Sequence, residues 1–197
     1  MMPTKSDCQI IKKVLEEHRA AFQATFSEEN LRVLEQITEC MLKAFRNGNK
    51  VLLCGNGGSA ADAQHIAAEF IGRFNRERKS LPAIALTTDT SILTAVANDY
   101  SYEFVFERQI EGLGVAGDVL IAISTSGNSR NVVLAAKKAK DMMLTTVGFT
   151  GNSGGRLKDV VDIHFCVSST QTPHIQEMHT TALHAVSEAV EDALFPS

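Results

Sequence analysis

Between residues 8 and 46 apolar side chains recur at helical spacing, and neither glycine nor proline interrupts them. Ile10, Ile11, Val14 and Leu15 begin one stripe; Leu31, Leu34, Ile37, Met41 and Leu42 form a second. Recurrence at three and four residues marks one face of a helix. Between the stripes, Phe26-Ser27-Glu28-Glu29 reads as a helix end followed by an N-cap, with Ser27 as the cap. The chain is predicted to open on two helices that form an arm.

At Asn47-Gly48-Asn49, a stop and turn signal, the period changes. Val51-Leu52-Leu53-Cys54 reads as a short buried strand; a glycine-rich turn and a helix over 60–72 follow. The same rhythm of strand, polar turn and helix recurs. Ala83-Ile84-Ala85-Leu86 leads into Thr87-Thr88-Asp89, Val119-Leu120-Ile121-Ala122-Ile123 into Ser124-Thr125-Ser126-Gly127, and Thr145-Thr146-Val147-Gly148-Phe149 into Thr150-Gly151-Asn152-Ser153-Gly154. A fifth strand over 163–167 precedes a last helix over 173–194, with Pro173 in its first turn. Such alternation predicts an α/β fold, a doubly wound and mainly parallel five-stranded sheet flanked by helices. The expected organisation is one domain over 1–197: N-terminal helices 1–47, α/β core 48–170 and C-terminal helix 171–197. Ligands of such sheets sit beyond the carboxyl ends of the strands, where the polar turns fall.

Composition narrows the function. The 197 residues are 44% apolar and 21% charged, with a formal net charge of −4. A mildly acidic chain argues against a dedicated nucleic-acid or anionic-membrane binder. No apolar run reaches the roughly 18–20 residues of a membrane span, and MMPTKSDCQIIKKVLEEH lacks the apolar centre of a secretory signal. Cys8, Cys40, Cys54 and Cys166 are scattered with no CxxC pair, which suits a reducing cytoplasm and offers no cysteine zinc site.

Three segments carry candidate chemistry. Ser124-Thr125-Ser126-Gly127-Asn128-Ser129 lies between a strand and a helix. Hydroxyls and free N–H groups at a helix N-terminus make an anion site, although Ser and Thr also serve there as plain caps. The loop has no P-loop lysine, so nucleoside triphosphate chemistry is not suggested. Gly55-Asn56-Gly57-Gly58-Ser59-Ala60 fits G-x-G-x-x-A, a dinucleotide-binding spelling, with Asp89 as its ribose acid. But Asp89 stands 34 residues beyond Gly55, against roughly 20 for that fingerprint. In the helix that follows, His65 and Glu69 share one face, with Asp62 and Arg73 to either side; the pair suits a metal or acid–base work, and equally a plain surface pair. In the last helix, at about 100° per residue, Glu177 lies about 20° from His184 and Gln176 roughly 80°. Spacing favours Glu177 as the partner of His184.

Taken in order, CGNGGSAADAQHIAAEFIGRF (54–74), LPAIALTTDTSILTAVANDY (81–100), GDVLIAISTSGNS (117–129), GFTGNSGG (148–155) and TPHIQEMH (172–179) with His184 resemble the sugar isomerase (SIS) family of phosphosugar-binding domains. Within it they are most similar to the bacterial phosphoheptose isomerases. The resemblance implies a cytoplasmic ketose–aldose isomerase, converting sedoheptulose 7-phosphate to D-glycero-D-manno-heptose 7-phosphate through an enediol, the first step toward lipopolysaccharide heptose. It implies phosphate contacts from Ser124, Thr125, Ser126 and Ser129, and sugar contacts from Asn56, Gly57, Gly58, Ser59, Asn98, Asp99 and Gln176. It implies Glu69 and His184 as the acid–base pair, also touching substrate through Glu69. It implies one zinc per subunit on His65, Glu69, Gln176 and His184, choosing Gln176 where spacing favours Glu177. No nucleotide cofactor, nucleic acid or membrane is implied; the expected assembly is a homotetramer with active sites at subunit interfaces. Pro173 departs from members that carry an acid there.

A second resemblance is to DiaA-like adaptors of the replication initiator DnaA. It is carried by Asn47-Gly48-Asn49-Lys50, Ser80-Leu81-Pro82-Ala83-Ile84-Ala85-Leu86, Gly127-Asn128-Ser129-Arg130 and Leu194-Phe195-Pro196. Those adaptors lack counterparts of Glu69 and His184. This chain has both, which favours the isomerase.

Overall fold

The computed structural model describes residues 5–196, with side chains from residue 9 onward. The readings made on residues 1–4 and 197 and on the Cys8 side chain lie outside the described residues. Two helices open the chain, α1 (Lys5–Thr25) and α2 (Glu28–Arg46). Ser27 separates them as expected, its Oγ accepting the Asn30 N–H at 3.5 Å. Glu28 and Glu29 in the first turn of α2, and Lys43 and Arg46 in its last, complement the helix dipole.

The α/β segment follows: β1 (Val51–Cys54), α3 (Gly58–Ile71), β2 (Ala83–Ala85), α4 (Thr90–Asp99), α5 (Glu107–Leu113), β3 (Val119–Ile123), α6 (Arg130–Asp141), β4 (Thr145–Gly151), β5 (Ile163–Val167) and α7 (Thr172–Leu194). All pairings are parallel, in the order β2-β1-β3-β4-β5. The strand order reverses direction between β1 and β3, so the loops after these two neighbours diverge to opposite faces and leave a crevice.

Alternation along the strands feeds two cores. Val51 and Leu53 of β1, with Ile121 and Ile123 of β3, pack under Ile37, Met41, Ile66, Phe70, Met178 and Val186 from α2, α3 and α7. Leu52, Cys54, Leu120 and Ala122 turn to the other face, against Phe106, Ile110, Val132 and Ala136. Fully buried side chains such as Phe70, Phe149 and Ile66 contribute roughly 1.5–3 kcal/mol each. The strands thus read as continuous apolar runs because both faces are covered.

One element departs from the expected rhythm. The link from β4 to β5 holds no α-helix, only a 3-10 turn over Leu157–Asp159. Asn152, Gly154 and Gly155 all take positive φ, which a right-handed helix does not admit. β4 also runs on through Gly151, which pairs with Val167 of β5.

The arm is tied to the carboxyl end of the sheet. Asn30 Nδ2 donates to the carbonyls of Thr25 and Cys166, and Ser168 Oγ donates to that of Ala24. His18 of α1 meets the Glu177 carboxylate of α7. The outer stripe of α1 stays exposed, with Ile10 at 60% and Leu15 at 63%.

Candidate active site

The serine loop caps β3. Ser124 is buried, and its hydroxyl donates to Ser129 Oγ at 3.0 Å. Ser129 occupies the N-cap position of α6 yet makes no side-chain cap bond. A loop built only for capping would use it so; here Asn131 Oδ1 accepts the Val132 N–H at 3.0 Å instead. Ser126 is exposed and its Oγ accepts the Asn128 N–H at 3.1 Å. Thr125 is half-buried and its carbonyl accepts the Gly151 N–H. Gly127 has φ +66, and a side chain there would run into the Gly154 carbonyl. The loop therefore closes tightly while Ser126 and Ser129 stay near the surface.

Asn56 lies between β1 and α3. Its carboxamide pairs reciprocally with that of Asn131, both bonds 2.9 Å, and its Oδ1 also receives Tyr102 Oη at 3.1 Å. Gly57 and Gly58 are exposed and Ser59 is buried at the start of α3. Asn98 and Asp99, at the end of α4, are exposed; Asn98 Nδ2 donates to Asp99 Oδ1 at 2.8 Å, and among the described residues neither side chain hydrogen-bonds another of the predicted site residues. Asp89 is the N-cap of α4, accepting the Ile92 N–H at 2.9 Å. That structural duty accounts for the acid in the dinucleotide reading.

The third part is built where α3 and α7 run side by side in the same direction. Gln176 packs on Gly58, Thr180 Oγ1 donates to Asp62 Oδ1 at 3.0 Å, and His184 Nε2 stands 2.8 Å from His65 Nε2. Gln176 thus faces α3, whereas Glu177 turns to His18 of α1. The helical-spacing preference for Glu177 is corrected: α1 supplies a partner for it on the far side of α7, and the long Gln176 side chain reaches the α3 side. Glu69 Oε1 lies 3.5 Å from His65 Nε2. Asp62 Oδ2 is buried without a hydrogen-bond partner. Burial pushes that carboxyl above its usual range, against the opposing pull of Thr180, His65 and His184.

His65, Glu69 and His184 offer two imidazole nitrogens and one carboxylate oxygen, all within 4.8 Å of one another. Zinc bonds of about 2.0–2.1 Å at tetrahedral angles place neighbouring donors roughly 3.3 Å apart. The observed 2.8 and 3.5 Å bracket that spacing. The donor set fits a zinc-like cation.

Sequence reasoning missed Asn131 and Tyr102, and also the pair Arg78 and Glu191 behind the site. Arg78 Nε donates to Glu191 Oε1 at 2.7 Å, with both side chains at most 2% exposed. The guanidinium also donates to the carbonyls of Glu69 and Phe70, at 2.7 and 2.8 Å. Glu191 accepts the N–H groups of Phe74, Asn75 and Arg76. Burial alone would raise the Glu191 carboxyl; these donors together hold it below the usual range. A charge beside Val190 on the buried face of α7 is the signal that marks it in the sequence.

A hydroxyl loop beyond the carboxyl end of β3 and a His/Glu cluster between α3 and α7 mark a doubly wound domain with two candidate ligand-binding parts. The SIS domain profile matches residues 16–151, and the chain belongs to that family. Within it the chain belongs to the phosphoheptose isomerases, which are ketose–aldose isomerases. It is 59% identical over 168 residues to the phosphoheptose isomerase of Roseiflexus sp. (strain RS-1), covering 85% of each chain. The solved phosphoheptose isomerase of Neisseria gonorrhoeae superposes with a TM-score of 0.89 at 41% identity, over 93% of this chain and 98% of that one. That of Francisella tularensis gives 0.91 at 34% identity, over 94% and 98%.

Proposed function

We propose that this chain isomerises sedoheptulose 7-phosphate to D-glycero-D-manno-heptose 7-phosphate, feeding ADP-heptose and lipopolysaccharide core synthesis in the cytoplasm. The observation that carries the reading is the meeting of Glu69 and His184, from two different helices, around His65. Its support is the match to phosphoheptose isomerases over most of the chain. The adaptors lack counterparts of Glu69 and His184, which this chain brings together.

The phosphate is bound by Ser124, Thr125, Ser126 and Ser129, through hydroxyls and the amino end of α6. Asn56, Gly57, Gly58, Ser59, Asn98, Asp99 and Gln176 contact the sugar. The Glu69 carboxylate removes the proton from C1, and the electron pair left behind forms the C1–C2 double bond of the enediol. Returned to C2, that proton completes the aldose. His184 moves the hydroxyl proton from the C1 oxygen to the C2 oxygen, so no atom is gained or lost. His65, Glu69, Gln176 and His184 would hold one zinc per subunit, and zinc when bound polarises a carbonyl oxygen as a Lewis acid. The chain acts as one domain over 1–197 and assembles as a homotetramer with sites at subunit interfaces; the exposed stripe of α1 supports an assembly. Sedimentation at micromolar concentration is expected to show the tetramer, and a monomer would refute it. Among the described residues no helix is long and apolar enough to cross a membrane.

The test is incubation with sedoheptulose 7-phosphate in deuterated water, followed by NMR. Aldose product is expected, with turnover lowered at least about a hundredfold in Glu69→Gln. Absence of product, or undiminished turnover in the variant, sinks the assignment.

A further inference from the structure

Asn56 and Asn131 face each other across the crevice where the strand order reverses. Asn56 follows β1 on the side of α3. Asn131 is the second residue of α6, just past the serine loop, and is 4% exposed. A reciprocal carboxamide pair can be drawn two ways, with oxygen and nitrogen exchanged on both partners. Here one backbone group breaks the symmetry. The Val132 N–H can only donate, and it donates to Asn131 at 3.0 Å, so that atom is Oδ1. Asn131 Nδ2 is then the donor to Asn56 Oδ1, and Asn56 Nδ2 the donor to Asn131 Oδ1.

Tyr102 completes the set by donating its hydroxyl to Asn56 Oδ1. A carboxamide oxygen has two lone pairs and a carboxamide nitrogen two hydrogens. Both acceptor positions of Asn56 are occupied, by Asn131 and Tyr102. One Nδ2 hydrogen is occupied by Asn131, and among the described residues the other has no partner. The remaining capacity of Asn56 is a single N–H donor, held in the crevice between the glycine and serine loops.

We propose that Asn131 and Tyr102 are positioning residues that hold the Asn56 carboxamide with its N–H, and never its carbonyl, toward the substrate. Asn56 then donates to the oxygen on which enediolate charge develops, in a site completed across the proposed subunit interface, since Glu69 of the same chain stands about three turns further along α3. The inference rests on the isomerase reading and adds an oxyanion donor to it. A donor fixed before the reaction stabilises charge as it forms without reorganising. A freely turning asparagine would present its oxygen as readily, and that oxygen would repel the enediolate.

The experiment compares two probes on the full-length protein by calorimetry. One is a hexonohydroxamate 6-phosphate, whose paired oxygens copy the enediolate. The other is heptitol 7-phosphate, the reduced substrate, which has no carbonyl. Asn131→Leu removes the donor to Asn56 Oδ1 without placing a charge beside the serine loop. It is expected to weaken the hydroxamate at least about tenfold while the heptitol phosphate stays within about twofold. Tyr102→Phe, at an exposed position, removes one hydroxyl and is expected to give a smaller loss of about threefold with the same selectivity. It carries the test if the Asn131→Leu variant does not fold. Equal weakening of both probes, or of neither, overturns the inference. Failure of the underlying isomerase reading shows differently: the unaltered protein neither turns over sedoheptulose 7-phosphate nor binds either probe, and the inference falls with it.

Discussion

His65 and His184 face each other nitrogen to nitrogen, Nε2 to Nε2 at 2.8 Å, with ring planes 70° apart. A hydrogen bond across that gap needs one protonated and one bare nitrogen. A cation bound to both would replace it, with Glu69 completing three ligands. Metal analysis of protein purified without chelator or affinity-column metal is expected to show one zinc per chain. His65→Ala is expected to lower its affinity at least about tenfold. Unchanged metal affinity in that variant would remove His65 from the ligand set.

The Arg78–Glu191 pair lies behind the same site. Arg78 grips the carbonyl of Glu69 itself, and Glu191 stands two turns beyond His184 on α7. Glu191→Leu leaves a buried guanidinium without its counter-charge, a change expected to cost about 3–5 kcal/mol in urea unfolding. Loss of less than about 1 kcal/mol would show that water or another acid replaces the carboxylate.

His179 makes stability depend on pH. Its Nε2 bonds the Thr150 carbonyl at 3.0 Å, so the proton sits on Nε2 and Nδ1 is buried without a partner. Burial pushes the imidazole down to about 4 from 6.5, against the weaker pull of the Thr150 bond. Above pH 6.5 neither the folded nor the unfolded chain binds this proton, and the stabilisation is complete. Between 6.5 and 4 only the unfolded chain takes it up, so stability falls as pH falls, by roughly 3 kcal/mol in all. His179→Gln keeps the donor and cannot titrate there. The difference between the two proteins in unfolding free energy from urea titration is expected to shift by that amount from pH 7 to pH 4, and a constant difference would refute the assignment.

The strands and most helices were legible because each buried strand is a short apolar run closed by polar turn residues. The β4–β5 link was not, because positive φ at Asn152 defeats a helix that the rhythm alone suggests. Individual site residues were legible where a loop concentrates them, as in 124–129. Asn131 was hidden because its role depends on Asn56, distant in sequence and adjacent only through the β1–β3 pairing. The choice between Gln176 and Glu177 was likewise out of reach of helical spacing, since it turns on which neighbour, α3 or α1, lies on each side of α7.

Gly58 sets the room left to a side chain far along the sequence. A methyl group on it would overlap the Gln176 carboxamide. A side chain gained at 58 displaces the mobile end of Gln176 and no backbone, whereas a shorter residue at 176 leaves Gly58 unhindered, so the constraint runs one way along the pair.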